Sequence, residues 1–199
     1  VSPSASAQPV VVSVHVRSYI EPDGTPAPSS IHSKLPPEYY AGAMARLLGQ
    51  YGGRENQDAN VCFLVFSDDL TFVCNHYSET LQEFVSNNAK VVLVGNKLSN
   101  RNNFPNFDAF ALAQDFSGQP DHEQKSPALG YCEVNQDVFE LVLMSTCDHH
   151  VLANSTFSWW AAYLGEKRAK KRVIAPANWF GPKGPKDVQD LRPPHWEVI

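Results

Sequence analysis

Val61-Cys62-Phe63-Leu64-Val65-Phe66-Ser67-Asp68-Asp69 is the stretch on which the fold turns. Six apolar residues stand in an unbroken row instead of alternating with polar ones, which is the pattern of a strand buried on both faces. Ser67, Asp68 and Asp69 then close it with side chains that favour turns. Reading outward, the same composition recurs at Val10–Val16 and Lys90–Val94 and at residues 149–154 and 172–175, so five strands are predicted. Helical periodicity lies between them. Pro36-Pro37 opens a first helix in which Tyr40, Ala43, Met44, Leu47 and Leu48 share a face, and Gly49 and Gly52-Gly53 are expected to stop it. Ser78 is expected to cap a second helix carrying Leu81, Phe84 and Val85. A third is predicted over 136–147 through Val138, Leu141, Val142 and Ser145, and a fourth begins near 155–157. Strands alternating with helices predict an α/β fold, a Rossmann-like doubly wound parallel sheet.

The whole chain is consistent with one such domain. In 199 residues, 16 Lys+Arg against 21 Asp+Glu give a formal net charge of −5, which argues against a general nucleic-acid binder. The 43% hydrophobic content suffices for a core over residues 10–199, while residues 1–9 read as a linker, cut from something longer. Every apolar run falls far short of the ~20 residues that span a bilayer, so no transmembrane segment is expected. The N-terminus has neither the basic nor the apolar part of a signal peptide. Cys62, Cys74, Cys132 and Cys147 form no C-x-x-C pair and read as reduced structural thiols. A cytoplasmic location is the corresponding expectation. Segments 18–35 and 96–131 break the alternation as long loops, and the first leaves the carboxyl edge of the sheet, where open α/β sheets bind ligands.

Four features stand at predicted strand or helix ends that converge on that edge. His15 and Arg17 share one side of the first strand end, and an arginine there forks onto a diphosphate or pairs with a surface carboxylate. Ser67, Asp68 and Asp69 can cap a turn, act as a base or hold a divalent metal. Asn154-Ser155-Thr156-Phe157-Ser158 runs from strand into helix, where free N–H groups and the helix dipole attract an anion and three hydroxyls add donors. Asp137, at the start of the third helix, either accepts from a base edge or favours the helix dipole. His149 and His150 are adjacent on a strand, point to opposite faces and so cannot share a metal. The run from Lys167 to Arg172 reads as a dipole-complementing helix end. There is no G-x-G-x-x-G, Walker A or G-x-S-x-G sequence, so the oxidoreductase, nucleotide hydrolase and serine hydrolase readings lack their loops.

The string from Asp148 to Leu164, DHHVLANSTFSWWAAYL, closely resembles the C-terminal motif of the α-1,2-fucosyltransferase family, glycosyltransferase family 11. Val12-Ser13-Val14-His15-Val16-Arg17, the stretch from Phe63 to Asp69, and Val173-Ile174-Ala175-Pro176 followed by Asn178-Trp179-Phe180 are similar to that family in the same order. The resemblance implies an inverting transfer of L-fucose from GDP-fucose, the nucleotide-sugar donor, to a hydroxyl of a glycan acceptor. It also implies a GT-B scaffold and no required metal or other cofactor. Arg17 would then neutralise the β-phosphate of departing GDP with His15 beside it. Asn154, Ser155, Thr156, Phe157 and Ser158 would surround the diphosphate, Asp137 would face the guanine, and Ser67, Asp68 and Asp69 would lie near the donor cleft.

Two departures from the family pattern qualify this picture. Where the family reads His-x-Arg-Arg-x-Asp, this chain has Ser18 for the second arginine and Ile20 at the acid, leaving Glu21 and Asp23 as the catalytic-base candidates. The lobe that normally precedes the motif is not in this sequence, so the chain reads as the donor-binding part of a larger glycosyltransferase. Two other readings stand beside it: a non-catalytic nucleotide-sugar or glycan-binding module, and a metal-dependent glycosyltransferase using Asp68 and Asp69 on another sugar nucleotide.

Overall fold

The structure is a computed structural model that describes residues 8–19, 31–51, 61–95, 108–110, 135–166 and 171–199. In chain order the elements are β1 (Val10–Val16), α1 (Pro37–Tyr51), β2 (Val61–Ser67), α2 (Leu70–Ser86), β3 (Lys90–Val94) and β4 (Asp108–Phe110). After these come α3 (Gln136–Thr146), β5 (His149–Val151), α4 (Thr156–Leu164), β6 (Val173–Ala175), a 3-10 turn at Gln189–Leu191 and β7 (Glu197–Val198). The strands form one sheet in the order β4-β3-β2-β1-β5-β6-β7, with every neighbouring pair parallel. The Rossmann-like reading therefore holds. The chain winds outward from β1 through β2, β3 and β4, then returns to place β5 on the other side of β1, so β1 and β5 flank the topological switch point.

Alternation along β1 sorts its side chains onto two layers. Val12, Val14 and Val16 join Phe63, Val65, Val91, Leu93, Val151 and Ile174 under α1 and α2, in a core closed by Tyr40, Met44, Leu47, Leu70, Val73 and Phe84. Ser13 and His15 face the opposite layer with His150, where α3 and α4 bring Met144, Ala161 and Phe157 onto Phe66 and Val94. The first layer is the larger and carries most of the buried apolar area. Gly165, which caps the end of α4, lets α3 come close: a Cβ there would stand 2.5 Å from the Ser145 carbonyl oxygen. Alanine would have to push the two helices apart.

Several predicted boundaries shift for local reasons. Helix α2 begins at Leu70, not near Ser78, because the Asp69 carboxylate accepts from the Phe72 N–H (2.9 Å) and caps it a full two turns earlier. Gly49 lies inside α1, which continues to Tyr51. The fifth strand ends at Val151 instead of 154, and β6 starts at 173 instead of 172. β4 falls inside the segment read as a long loop, and β7 is a two-residue edge strand that the sequence did not announce. Among the described residues no helix is long and apolar enough to cross a membrane. Among the described residues Cys62, Cys74 and Cys147 form no disulfide with one another, and the last two are buried, while Cys132 lies outside the described residues.

Candidate functional site

The ladder between β1 and β5 ends at Val14 opposite Val151, yet β1 stays paired with β2 as far as Val16 opposite Ser67. Beyond Val14 the carboxyl ends of β1 and β5 are no longer paired, and this is the switch point at which open α/β sheets form their ligand crevice. One wall is the end of β1 with Arg17, Ser18 and Tyr19. The other is the turn from Asn154 into α4.

On the β1 side, Asp68 organises the chain. Its carboxylate accepts the Ser18 backbone N–H at 2.8 Å and the Ser18 hydroxyl at 2.7 Å, and the Arg17 guanidinium lies 3.4 Å away. Ser18 is buried, while the Arg17 side chain keeps 42% of its surface exposed and extends from a backbone fixed at Ser18. Asp69 points elsewhere, capping α2, and the Ser67 hydroxyl bonds to the Asp69 backbone. Both aspartates are thus engaged by protein donors. His15 is buried against the Phe157 ring at 5.6 Å between centroids, and its Nδ1 has no partner among the described residues. Burial pushes its pKa down to about 4; Asp68 opposes that shift and Arg17 adds to it. The imidazole is therefore neutral at neutral pH.

On the β5 side, the Ser155 hydroxyl caps α4 by accepting the Phe157 N–H at 3.3 Å, and the first bond of the helix is Trp159 N–H to the Ser155 carbonyl at 3.1 Å. The remaining first-turn N–H groups point out of the carboxyl edge with the positive end of the dipole. Thr156 is exposed there, Ser155 and Phe157 half-buried. Ser158 is fully buried, and its hydroxyl donates to the Ala153 and Ser155 carbonyls, so it offers no free hydroxyl at the start of α4. Asn154 is buried too; its Nδ2 donates to Ser33 O (2.7 Å) and Trp179 O (3.0 Å), leaving Oδ1 without a partner among the described residues.

The other predicted residues divide. Asp137 is exposed in the first turn of α3, whose N-terminus the parallel winding brings to the same carboxyl edge. Asn135 accepts its N–H and caps the helix. Glu21 and Asp23 lie outside the described residues. His149 and His150 do point apart: His149 stacks on Tyr51 at 4.4 Å, whereas His150 Nδ1 meets Ser13 Oγ at 2.6 Å and its Nε2 meets Lys171 Nζ at 3.0 Å. Lys171 also donates to Ser145 O at the end of α3, with its Nζ beside Gly165, the C-cap of α4, and Arg172 pairs with Glu197; residues 167–170 of that run lie outside the described residues. Sequence reasoning passed over Tyr19, which lies in the crevice itself. It also passed over Glu140, buried on the inner side of α3 with its carboxyl pKa raised by burial and held by Gln136 Nε2 at 2.7 Å.

Arg17 beyond β1 and the N-terminus of α4 beyond β5 thus stand at one switch point, and part of this region is similar to known proteins. Residues 122–199 match the model of glycosyl transferase family 11. The family 11 match covers α3, β5, α4, β6 and β7, and so includes one wall of the crevice. The resemblance read from the 148–164 string is thereby shown over this part of the chain. Over 170 residues the chain is 25% identical to the O-antigen biosynthesis glycosyltransferase WbnK of Escherichia coli, covering 84% of this chain and 38% of that protein. It is 38% identical over 56 residues to an alpha-1,2-colitosyltransferase of Escherichia coli, covering 28% of this chain and 19% of that protein. The chain thus spans well under half the length of these relatives in the matched regions. No solved structure matches.

Proposed function

We propose that the chain is the donor-binding part of an inverting glycosyltransferase that moves L-fucose from GDP-fucose to a hydroxyl of a glycan acceptor. The observation that carries this reading is the end of the β1/β5 ladder at the switch point, with Arg17 just beyond β1 and the N-terminus of α4 just beyond β5. Glycosyl transfer in general is supported by the family 11 match and by two relatives whose names denote glycosyltransferases.

In this reading the diphosphate lies between Arg17 and the first turn of α4, with Ser155 and Thr156 as hydroxyl donors and His15 as a neutral hydrogen-bonding group. Asp137 meets the guanine edge from the start of α3. When the acceptor oxygen attacks the anomeric carbon, the bond from that carbon to the phosphate oxygen breaks and negative charge moves onto GDP. Donors already aimed at the diphosphate stabilise that charge most at the transition state. The acceptor proton passes to a carboxylate, for which Glu21 and Asp23 are the candidates. Asp68 and Asp69 are occupied by Ser18, Arg17 and the start of α2, which favours this scheme over one in which they hold a metal.

Calorimetric titration with GDP-fucose in EDTA, against GDP-mannose and UDP-glucose as competitors, tests the proposal. Selective, metal-free binding of GDP-fucose is expected; absence of binding contradicts it. A second reading, a colitosyl donor on the same diphosphate, is favoured by the name of one relative. It predicts that GDP competes fully while the fucosyl group adds nothing to affinity.

A further inference from the structure

The crevice has a strut across it, made by a residue that neither its type nor its spacing marks as functional. Tyr19 stands at φ 52, a left-handed backbone conformation that a bulky residue seldom adopts, and such positions concentrate where the surroundings force them. Two contacts hold it there. Its hydroxyl donates to the Asn154 carbonyl oxygen at 2.5 Å, and its ring stacks on His32 at 5.1 Å between centroids and 17° between planes. Asn154 immediately precedes Ser155, the cap of α4, and Ser18, next to Tyr19, is fixed to Asp68 by both its N–H and its hydroxyl. The residues following β1 are therefore anchored to β2 by Ser18 and to the start of α4 by Tyr19. They bridge the crevice just where the β1/β5 ladder has stopped.

We infer that Tyr19 is a positioning residue that sets the separation between Arg17 and the N-terminus of α4, and so matches the crevice to a nucleoside diphosphate rather than a monophosphate. The inference rests on the donor-site reading above. A diphosphate long enough to touch both walls depends on their spacing, whereas a monophosphate satisfied by one wall does not. Tyr19 touches neither phosphate; it acts through the Asn154 carbonyl and through the turn that carries Arg17.

The test is calorimetric titration of the 199-residue chain and its Tyr19→Phe variant with GDP and with GMP. Phenylalanine keeps the ring on His32 and removes only the hydrogen bond. The expected result is a roughly five- to tenfold loss of GDP affinity, the scale of one buried hydrogen bond, with GMP affinity unchanged. Equal GDP affinity in both proteins overturns the inference and leaves the donor site standing. Equal losses for GDP and GMP also overturn it, since they show a merely structural role. If the unaltered chain binds no GDP, the donor-site reading fails and the inference with it. Should Tyr19→Phe not fold, His32→Ala loosens the ring while keeping the hydroxyl. It is then expected to lower GDP affinity without touching GMP, and unchanged GDP affinity there counts against the inference.

Discussion

The two layers on either side of the sheet are built from the same strands yet behave as different materials. Under α1 and α2, the residues of β1 and β5 facing the core are valines, joined by Phe63, Val65, Leu93 and Ile174, with His149 at the margin against Tyr51. Under α3 and α4, the buried intervening residues of those strands are Ser13, His15 and His150, with the apolar Val11 only partly buried. Ser13, His150 and Lys171 form a polar chain, and His15 leans on Phe157 beside the crevice. One layer supplies stability through contact with apolar side chains. The other gives up apolar area to carry neutral imidazoles and helix N-termini to the carboxyl edge. Stability and nucleotide binding should therefore respond to different substitutions.

The largest effect is expected in the apolar layer. Phe63→Ala, at a fully buried position, should cost about 3 to 5 kcal/mol in chemical denaturation, while the folded fraction keeps its GDP affinity. A loss of GDP affinity in that folded fraction would break the separation between layers.

The polar layer should reveal itself in acid. His15 stays unprotonated in the folded state down to about pH 4, while the unfolded chain takes up the proton near pH 6.5, and burial lowers His150 in the same direction. Between those limits the unfolded state binds more protons, so stability is complete above pH 6.5 and falls as pH drops toward 4. His15 alone accounts for a loss on the order of 3 kcal/mol. Denaturation midpoints at pH 7.5 and pH 5 should therefore differ, and His15→Gln should narrow the difference. A pH-independent midpoint would remove the titrating character assigned to this layer.

Arg17→Ala should weaken GDP binding by about 1.5 to 3 kcal/mol, as expected for hydrogen bonds to a charged group, with little change in stability because the side chain is well exposed. Unchanged affinity in the folded variant would separate Arg17 from the diphosphate. The smallest effect belongs to the rim, where Glu197 is shared by Arg46 and Arg172. Glu197→Gln should cost less than about 1 kcal/mol in thermal denaturation and leave nucleotide binding unaltered.

Much of this architecture is legible in the sequence because unbroken apolar runs bounded by turn residues mark doubly buried strands, and β1, β2 and β3 fall where those runs lie. The start of α2 was harder to read. Leu70, Phe72, Val73, Cys74 and Tyr77 are buried from its first turn, but the polar Thr71, Asn75 and His76 between them blur the period. β4 and β7 are too short to carry a pattern of their own and exist through pairing with β3 and β6. The residues of the crevice were legible as strand and helix ends. What each side chain does there was less so. Ser158 turns its hydroxyl back to its own backbone, and Asp69 spends its carboxylate on α2. Tyr19 acts through one hydrogen bond across 135 positions of sequence, a relation that no local pattern records.

In the proposed donor site the β1/β5 crevice holds a diphosphate between Arg17 and the first turn of α4. A crystal structure of the chain with GDP tests it most directly. The β-phosphate is expected within hydrogen-bond distance of the Arg17 guanidinium and of N–H or hydroxyl groups at Ser155 and Thr156, with Tyr19 still bonded to Asn154. GDP bound elsewhere on the sheet edge, or in the crevice with its phosphates turned away from Arg17, would contradict it.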